Sequence, residues 1–321
     1  MKFTFKSLLA SSTVVVTLLA SNAAMAEATV KAVASFSILG DFVQRVGGDR
    51  VEVTTIVGAD GDAHVYEPNP ADAKAVSAAN IMFVNGFGFE GWLERLSEAS
   101  GYKGKIVTAT DGIEAEKVAE AHDHGAEAGK EPEKHAEGEA GHDHGETDPH
   151  AWQSVANAQI YVKNIAAGLC EVDAAGCDSY KANADAYTKE LEALNASIKV
   201  AVQKIPEDRR VVITSHDAFG YFTHEYGVKF LAPEGISTES EASAKDVASL
   251  IEQIREDKAS ALFVENIADP RLIEQIAKET GLKVGGALYS DALSGSDGPA
   301  ATYIGMMNHN AKLLTEAMAG S

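Results

Sequence analysis

The chain has 321 residues, of which 45% are hydrophobic, and 48 acidic against 27 basic side chains give it a formal charge of −21. This balance excludes nucleic acid as a partner, because a phosphate backbone is bound by a basic surface. The length is sufficient for two lobes, each with a hydrophobic core of its own.

The first 26 residues have the pattern of an export signal. Lys2 and Lys6 precede an apolar run over residues 8–20, and the small residues 24–26 offer a cleavage site. The run falls short of the ~20 residues that a spanning helix needs. No cysteine stands directly after the cleavage site, where a lipid anchor would be attached. We expect residues 1–26 to be removed and the mature protein to be soluble outside the cytoplasm.

Strand and helix patterns alternate through the first half of the chain. The predicted strands cover residues 29–36, 51–57, 81–85 and 105–108, and the predicted helices cover residues 38–46, 71–79, 90–100 and 154–169. Such alternation implies parallel pairing of the strands, so the first predicted unit is an α/β lobe over residues 27–177.

The longest helical pattern follows this lobe. Apolar residues recur at steps of three or four from Tyr180 to Ile205, which predicts one helix over residues 178–205. At ~1.5 Å per residue this helix extends about 42 Å, enough to link two lobes. A coiled-coil seam is the alternative, but an isolated segment of this length favours a link within the chain.

The second half repeats the alternation. The predicted strands cover residues 210–215, 229–232, 261–264 and 283–287, and the predicted helices cover residues 219–226, 244–258, 270–280 and 302–319. We therefore predict a second α/β lobe over residues 206–321.

One long stretch, residues 114–147, has no predicted secondary structure. It is acidic, offers no apolar face to bury, and is predicted to be disordered. Histidine-rich tracts bind borderline-soft metals such as zinc. The stretch contains five histidines: His122, His124, His135, His142 and His144. We expect these residues to bind metal weakly and secondarily, because ordering a flexible segment around an ion costs conformational entropy.

The two cysteines, Cys170 and Cys177, are seven positions apart. In an oxidising compartment such a pair is expected to form a disulfide. A pair of thiolate metal ligands is the rival interpretation, and export makes it the weaker one.

Four candidate metal ligands come after predicted strands: His64, His150, His216 and Asp291. Ligands of open α/β sheets gather beyond the carboxyl ends of the strands. Three imidazoles and one carboxylate form a four-coordinate set that suits Zn²⁺. Two ligands come from each lobe, which predicts a metal site in the cleft between the lobes. By spacing alone each residue also has a structural interpretation, such as a turn cap at Asp291.

Five stretches carry a resemblance to a known family: DAHVYEPNP (62–70), NGFGFEGW (85–92), DPHAW (148–152), SHDAF (215–219) and YSD (289–291). In this order they resemble the periplasmic metal-binding components of ABC importers for zinc and manganese, the cluster A-I solute-binding proteins of ZnuA/TroA type. The resemblance implies two Rossmann-like α/β lobes joined by one long backbone helix. It also implies metal ligands at His64, His150, His216 and Asp291.

The function implied by the resemblance is that of a carrier and not of an enzyme. It would capture Zn²⁺ with high affinity in the periplasm and deliver it to the ABC permease of the inner membrane. Manganese members of the family have glutamate where this chain has His216, and a histidine-rich insert is typical of the zinc branch. The turn at residues 62–64 reads Asp-Ala-His where many members have Asp-Pro-His. We expect a monomer, and a periplasmic zinc metallochaperone is a further candidate partner.

Two alternatives remain. The first is a manganese or iron carrier of the same family. The second is a zinc hydrolase, which would keep one coordination position open for water and commonly carries a His-Glu-x-x-His motif that this chain lacks. Among the other side chains, structural roles are expected for His224 and His309, and packing roles for Trp92 and Trp152.

Overall fold

The computed structural model describes residues 29–117 and 147–320. The predicted export signal and the five loop histidines lie outside the described residues. The predicted loop over residues 114–147 is described only at its two ends. There, Lys117 and Thr147 form an isolated antiparallel bridge, so the two ends of the insert lie side by side.

The N-terminal lobe contains a four-stranded parallel sheet in the order β2-β1-β3-β4. Its strands are β1 (Val30–Phe36), β2 (Val51–Val57), β3 (Ile81–Val84) and β4 (Lys105–Thr108). Its helices are α1 (Ser37–Gly47), α2 (Pro70–Ala78), α3 (Leu93–Ser100) and α4 (Val155–Val172). All four residues of β3 are apolar and buried, as expected of a strand covered on both faces.

The C-terminal lobe contains a second four-stranded parallel sheet, in the order β6-β5-β7-β8. Its strands are β5 (Val211–Ile213), β6 (Lys229–Leu231), β7 (Ala261–Glu265) and β8 (Val284–Leu288). Taken in chain order, the strands of the two sheets follow the same arrangement. The predicted architecture of two parallel α/β lobes is confirmed.

Helix α5 (Cys177–Gln203) runs between the two lobes, and helices α6 (Gly220–Tyr226), α7 (Ala244–Glu256), α8 (Arg271–Thr280) and α9 (Tyr303–Gly320) complete the fold. Helix α5 packs on α1 and α4 of the first lobe and on α6 and α9 of the second. It ends earlier than the sequence predicts, at Gln203, because Pro206 disfavours helical conformation in the residue before it. No helix in residues 29–117 and 147–320 is long and apolar enough to span a membrane.

One hydrophobic core runs through both lobes. It includes the interior of the first lobe, the buried side of α5 and one face of the second sheet. Phe42 of α1 and Tyr303 of α9 meet within it, with ring centroids 4.7 Å apart. A smaller cluster lies under α7 and α8. The shared core fixes the position of one lobe against the other, and with it the geometry of the cleft.

Helix α3 and strand β5 are each three residues shorter than predicted, and a buried carboxylate accounts for each. Helix α3 starts at Leu93 because Gly86 and Phe87 adopt φ angles of 92° and 54°, and the turn they form is bound by Glu90. Strand β5 ends at Ile213 because the chain then turns to donate backbone N–H groups to Glu265. In both places the side chain binds backbone N–H groups just beyond a strand.

Candidate metal centre

The structure brings the four predicted ligands together. His64, His150, His216 and Asp291 are all buried, and one ligand atom of each lies within 4.8 Å of the others. The Nε2 atoms of His64 and His216 are each 3.2 Å from Oδ2 of Asp291. Nε2 of His150 is 3.5 Å from Oδ1 of Asp291 and 3.3 Å from Nε2 of His64. Three imidazole nitrogens therefore converge on one carboxylate.

These separations can be compared with those of a coordinated ion. Zn–N and Zn–O bonds of about 2.0–2.2 Å place neighbouring ligands of a tetrahedral site ~3.3 Å apart. The four separations given above lie between 3.2 and 3.5 Å, and the ligand atoms as a set lie within 4.8 Å of one another. Small shifts of the side chains therefore suffice to reach the spacing that one four-coordinate ion requires.

His64 is held by a local turn. Its backbone N–H donates to Oδ1 of Asp62 at 2.9 Å, and the carbonyl of Ala63 accepts the indole N–H of Trp92 at 2.8 Å. The other oxygen of Asp62 accepts the Thr238 hydroxyl at 2.6 Å, which ties this turn to the C-terminal lobe. These contacts position His64 although Ala63 stands where a proline is common in the family.

His150 is held by a second turn of the same kind. Its backbone N–H donates to Oδ1 of Asp148 at 2.8 Å, and its ring Nδ1 lies 2.8 Å from the same oxygen. The carbonyl of Pro149 accepts the side-chain amide of Asn85 at 2.9 Å, and Asn85 in turn accepts the hydroxyl of Tyr161. Both ligand turns of the N-terminal lobe thus have the sequence Asp-x-His and a buried side chain on the middle carbonyl.

His216 is held by a residue that is distant in sequence. Oε1 of Glu265 accepts the backbone N–H groups of Ser215 and His216, at 2.7 and 3.0 Å. Oε2 of Glu265 lies 2.7 Å from Nδ1 of His216, although the two atoms are not aligned as a linear hydrogen bond. The contact places an acceptor beside Nδ1, and Nε2 of the ring faces Asp291 in the cleft.

Asp291 is positioned from across the cleft. The carbonyl of Ser290 accepts the indole N–H of Trp152 at 2.9 Å and the amide of Gln153 at 2.7 Å. Trp152 and Gln153 directly follow His150 in the chain. The carboxylate supplied by one lobe is therefore placed by residues next to a histidine of the other.

Aromatic rings seal the inner side of the cluster. The ring of Phe89 lies 4.9 Å from that of His64, and the ring of Trp152 lies 5.3 Å from that of His150, both edge to face. Phe89 and Trp152 also contact each other, at 4.9 Å. This wall places apolar surface against the cluster, and charge interactions are stronger in such surroundings than in water.

Charge and burial act in opposite directions in the cluster. Burial alone would raise the pKa of Asp291, but the rings of His150 and His216 hold it well below its usual range. Burial would likewise lower the pKa of His150, yet Asp291 and Asp148 raise it to about 9. Glu265 and Asp291 raise the pKa of His216 in the same way. The cluster thus favours bound positive charge, whether protons or a cation.

The polar atoms of the centre also lack other partners. Both oxygens of Asp291 and Nε2 of His216 are buried without a hydrogen bond in the part of the chain that the structure describes. Buried polar groups in proteins are normally paired, so these atoms are available to a ligand. A cation among the Nε2 atoms satisfies the facing lone pairs and the carboxylate at once.

The remaining candidates lie apart from this centre. Cys170 and Cys177 form a disulfide at the far end of α4. His224 is largely exposed and pairs with Glu116 at 2.8 Å, and His309 donates from its ring to the carbonyl of Ala287 at 3.0 Å.

The sequence reasoning missed the side chains that position the ligands, among them Asp148, Glu265, Trp92 and Trp152. The repeated Asp-x-His pattern could have indicated Asp148. No local signal pointed to Glu265, and the two tryptophans were expected only to pack. Both are indeed fully buried, but each also binds a carbonyl next to a ligand.

A two-lobed α/β fold with a buried histidine and carboxylate cluster between the lobes defines an extracytoplasmic metal-binding protein of the substrate-binding class. The chain belongs to the family described as "ZnuA: Zinc-uptake complex component A periplasmic", whose sequence model matches residues 32–317. This family consists of substrate-binding components of ABC transporters, which work with a membrane permease and an ATPase. The prediction of a carrier rather than an enzyme is confirmed.

Similar proteins are named for several metals. The chain is 33% identical over 279 residues to the iron-binding protein YfeA of Yersinia pestis, which covers 87% of this chain and 83% of that protein. A single-residue variant of the Mn-bound periplasmic metal binding protein from Candidatus Liberibacter asiaticus is 31% identical, with a TM-score of 0.78 over 90% of this chain and 100% of that one. The periplasmic zinc binding protein TroA from Treponema pallidum is 25% identical, with a TM-score of 0.78 over 90% of this chain and 99% of that one.

Proposed function

We propose that this protein captures Zn²⁺ in the periplasm and delivers it to the inner-membrane permease of an ABC importer. In this proposal the ligands are Nε2 of His64, His150 and His216 together with the carboxylate of Asp291. The observation that carries the proposal is the convergence of these atoms at 3.2–3.5 Å in a buried cleft. That spacing and the set of three nitrogens and one oxygen suit a tetrahedral zinc ion.

A manganese or iron carrier is the second candidate, and the names of similar proteins favour it. Manganese prefers oxygen ligands and an octahedral arrangement. Three buried imidazoles supply nitrogen instead, and only one of the four side chains is a carboxylate. The chemistry of the ligand set therefore supports zinc over manganese.

The arrangement of the ligands also suggests how the ion could be released. Each lobe supplies two of the four, so a separation of the lobes removes half of the coordination at once. His64 is the most exposed of the four at 8%, while the other three are 0% exposed. We infer that the ion enters and leaves past His64.

Other elements of the proposal concern parts of the chain beyond the cleft. We propose that residues 1–26 direct export to the periplasm and that the mature protein acts as a monomer. The histidines between residues 118 and 146 would collect zinc weakly, from solution or from a metallochaperone, and pass it to the cleft. Weak binding and fast exchange suit such a role.

The test uses metal-free protein and two readouts. Zinc titration against a chelator, with and without excess Mn²⁺, should give tight binding of one zinc that manganese does not displace. Since zinc binds most such sites more tightly than manganese does, the second readout is geometric. Co²⁺ bound in the cleft should show the intense visible absorption of four-coordinate cobalt. Weak six-coordinate bands together with ready displacement by Mn²⁺ would favour the manganese candidate.

A further inference from the structure

Two of the ligand histidines have a buried carboxylate behind the ring, but these carboxylates use their oxygens differently. Oδ1 of Asp148 receives the backbone N–H of His150 and also faces its Nδ1, both at 2.8 Å. Glu265 divides the two tasks. Its Oε1 accepts the backbone N–H groups of Ser215 and His216, while its Oε2 faces Nδ1 of His216 at 2.7 Å.

We propose that Glu265 is a positioning residue that fixes the tautomer of His216 by keeping its proton on Nδ1. The inference rests on the proposed four-residue zinc site. A neutral imidazole carries one proton, on either Nδ1 or Nε2, and only the unprotonated nitrogen can bind a metal. With the acceptor Oε2 of Glu265 beside it, Nδ1 keeps the proton and Nε2 presents its lone pair to the cleft.

The backbone contacts fix which oxygen of Glu265 faces Nδ1 of His216. Two N–H groups point at Oε1, so the group at that position has to be an acceptor. The side chain cannot rotate to exchange its two ends, because it is buried between β5 and β7. The atom at the Oε2 position therefore decides on which nitrogen His216 carries its proton.

Substituting each carboxylate by its amide separates tautomer control from charge. In E265Q the two backbone donors keep the amide oxygen at the Oε1 position, so the NH₂ group faces Nδ1 and forces the proton of His216 onto Nε2. In D148N the single oxygen can still accept from both the backbone and Nδ1 of His150, while the NH₂ group turns to the side where Gly220 has no side chain. Each variant removes one negative charge beside one ligand ring.

Zinc titration of the metal-free wild type, D148N and E265Q tests this difference. We expect E265Q to bind zinc at least about tenfold more weakly than D148N, within the 10- to 100-fold range typical of lost outer-shell partners. ¹⁵N-histidine spectra of the zinc-loaded proteins give the second readout. The wild type and D148N should show three rings with a protonated Nδ1 and a metal-bound Nε2, and E265Q should show two.

The outcomes are distinguishable. Equal weakening in E265Q and D148N, with three such rings in both, would overturn the role of Glu265. Loss of these signals already in the zinc-loaded wild type would instead contradict the proposed ligand set. If E265Q does not fold, the metal-free wild type gives the tautomer directly. In ¹⁵N-histidine spectra recorded at a pH where the ring is neutral, the His216 signal, identified by its loss in H216A, should show a protonated Nδ1 and an unprotonated Nε2. A His216 ring protonated on Nε2 would overturn the inference.

Discussion

The two lobes share one strand order, yet they hold their candidate metal ligands by different means. In the N-terminal lobe, His64 and His150 each donate a backbone N–H to an aspartate two residues earlier. In the C-terminal lobe, His216 is bound by Glu265 from the neighbouring strand, and Asp291 is positioned by side chains from the opposite lobe. One half of the centre is thus built from local turns, and the other half exists only when the sheet and the two lobes have assembled.

A second comparison within the lobes shows what Glu265 adds. Glu90 of the first lobe also binds backbone N–H groups just beyond a strand, those of Asn85 and Gly86, but its remaining contact is the hydroxyl of Ser35. Glu265 makes the same kind of backbone contact and faces a metal-ligand ring instead. The same structural device is therefore used for stability in one lobe and for the site in the other.

The largest effect is expected from removing one ligand in each lobe. H64A and H216A should each weaken zinc binding by more than about 100-fold, above the usual loss for an outer-shell partner, because either change leaves three ligands. Chelator competition measures both, and H309A is a matched control outside the centre that should change affinity less than about threefold. Tight binding retained in either ligand variant would mean that one lobe suffices.

The pH dependence should be nearly as large. Because Asp291 and Asp148 raise the pKa of His150 to about 9 against the effect of burial, the metal-free protein holds a proton there that zinc must displace. The pKa of His216 is raised as well. Affinity should therefore fall as pH falls from 8 to 6, by about tenfold per pH unit for each proton displaced.

Proton release measured by calorimetry in two buffers of different ionisation enthalpy checks this prediction. More than one proton released per zinc at pH 7 is expected. Zinc affinity that stays constant over this pH range would contradict the participation of these histidines.

The disulfide should affect stability without affecting the site. Cys170 and Cys177 join the end of α4 to the start of α5, and α4 places about 23 Å of helix between its start and Cys170. C170S/C177S should lower the free energy of unfolding by about 2 kcal/mol, since the closed loop is short. Denaturant unfolding measures that loss. Zinc affinity should not change, and a tenfold loss of affinity would show that the scaffold and the centre are coupled.

The smallest effect is expected from the histidine-rich insert of the N-terminal lobe. Because Lys117 pairs with Thr147, residues 120–144 can be replaced by a short Gly-Ser linker without separating the ends. Equilibrium zinc affinity should stay within about threefold, since the five histidines are expected to bind weakly. Stopped-flow loading at limiting zinc should become slower. If tight binding disappears instead, a residue of the insert is a ligand.

The sequence predicted much of the fold because its signals are local. Alternating strand and helix patterns located both lobes, and the steps of three or four from Tyr180 predicted the long helix α5. The ends of α3 and β5 were predicted less well, because Glu90 and Glu265 bind the chain there from outside those elements. A capping contact of that kind leaves no periodic pattern.

In the metal centre, too, the features with a local sequence signal could be predicted and those made by distant residues could not. The four ligand candidates follow strands, and parallel strands bring their carboxyl ends to one edge. Asp148 stands two residues before His150, as Asp62 stands two residues before His64. This repeated spacing could have predicted the role of Asp148 from the sequence. Glu265 lies 49 residues from His216, and its role follows only from the pairing of β5 with β7.

A zinc-loaded crystal measured with anomalous scattering on both sides of the zinc edge tests the central claim most directly. We expect one strong zinc peak in the cleft, bound by Nε2 of His64, His150 and His216 and by the carboxylate of Asp291, with bonds of about 2.0–2.2 Å and no water ligand. A peak bound by only three of these residues and water, or a tight zinc site elsewhere in the chain, would contradict the account.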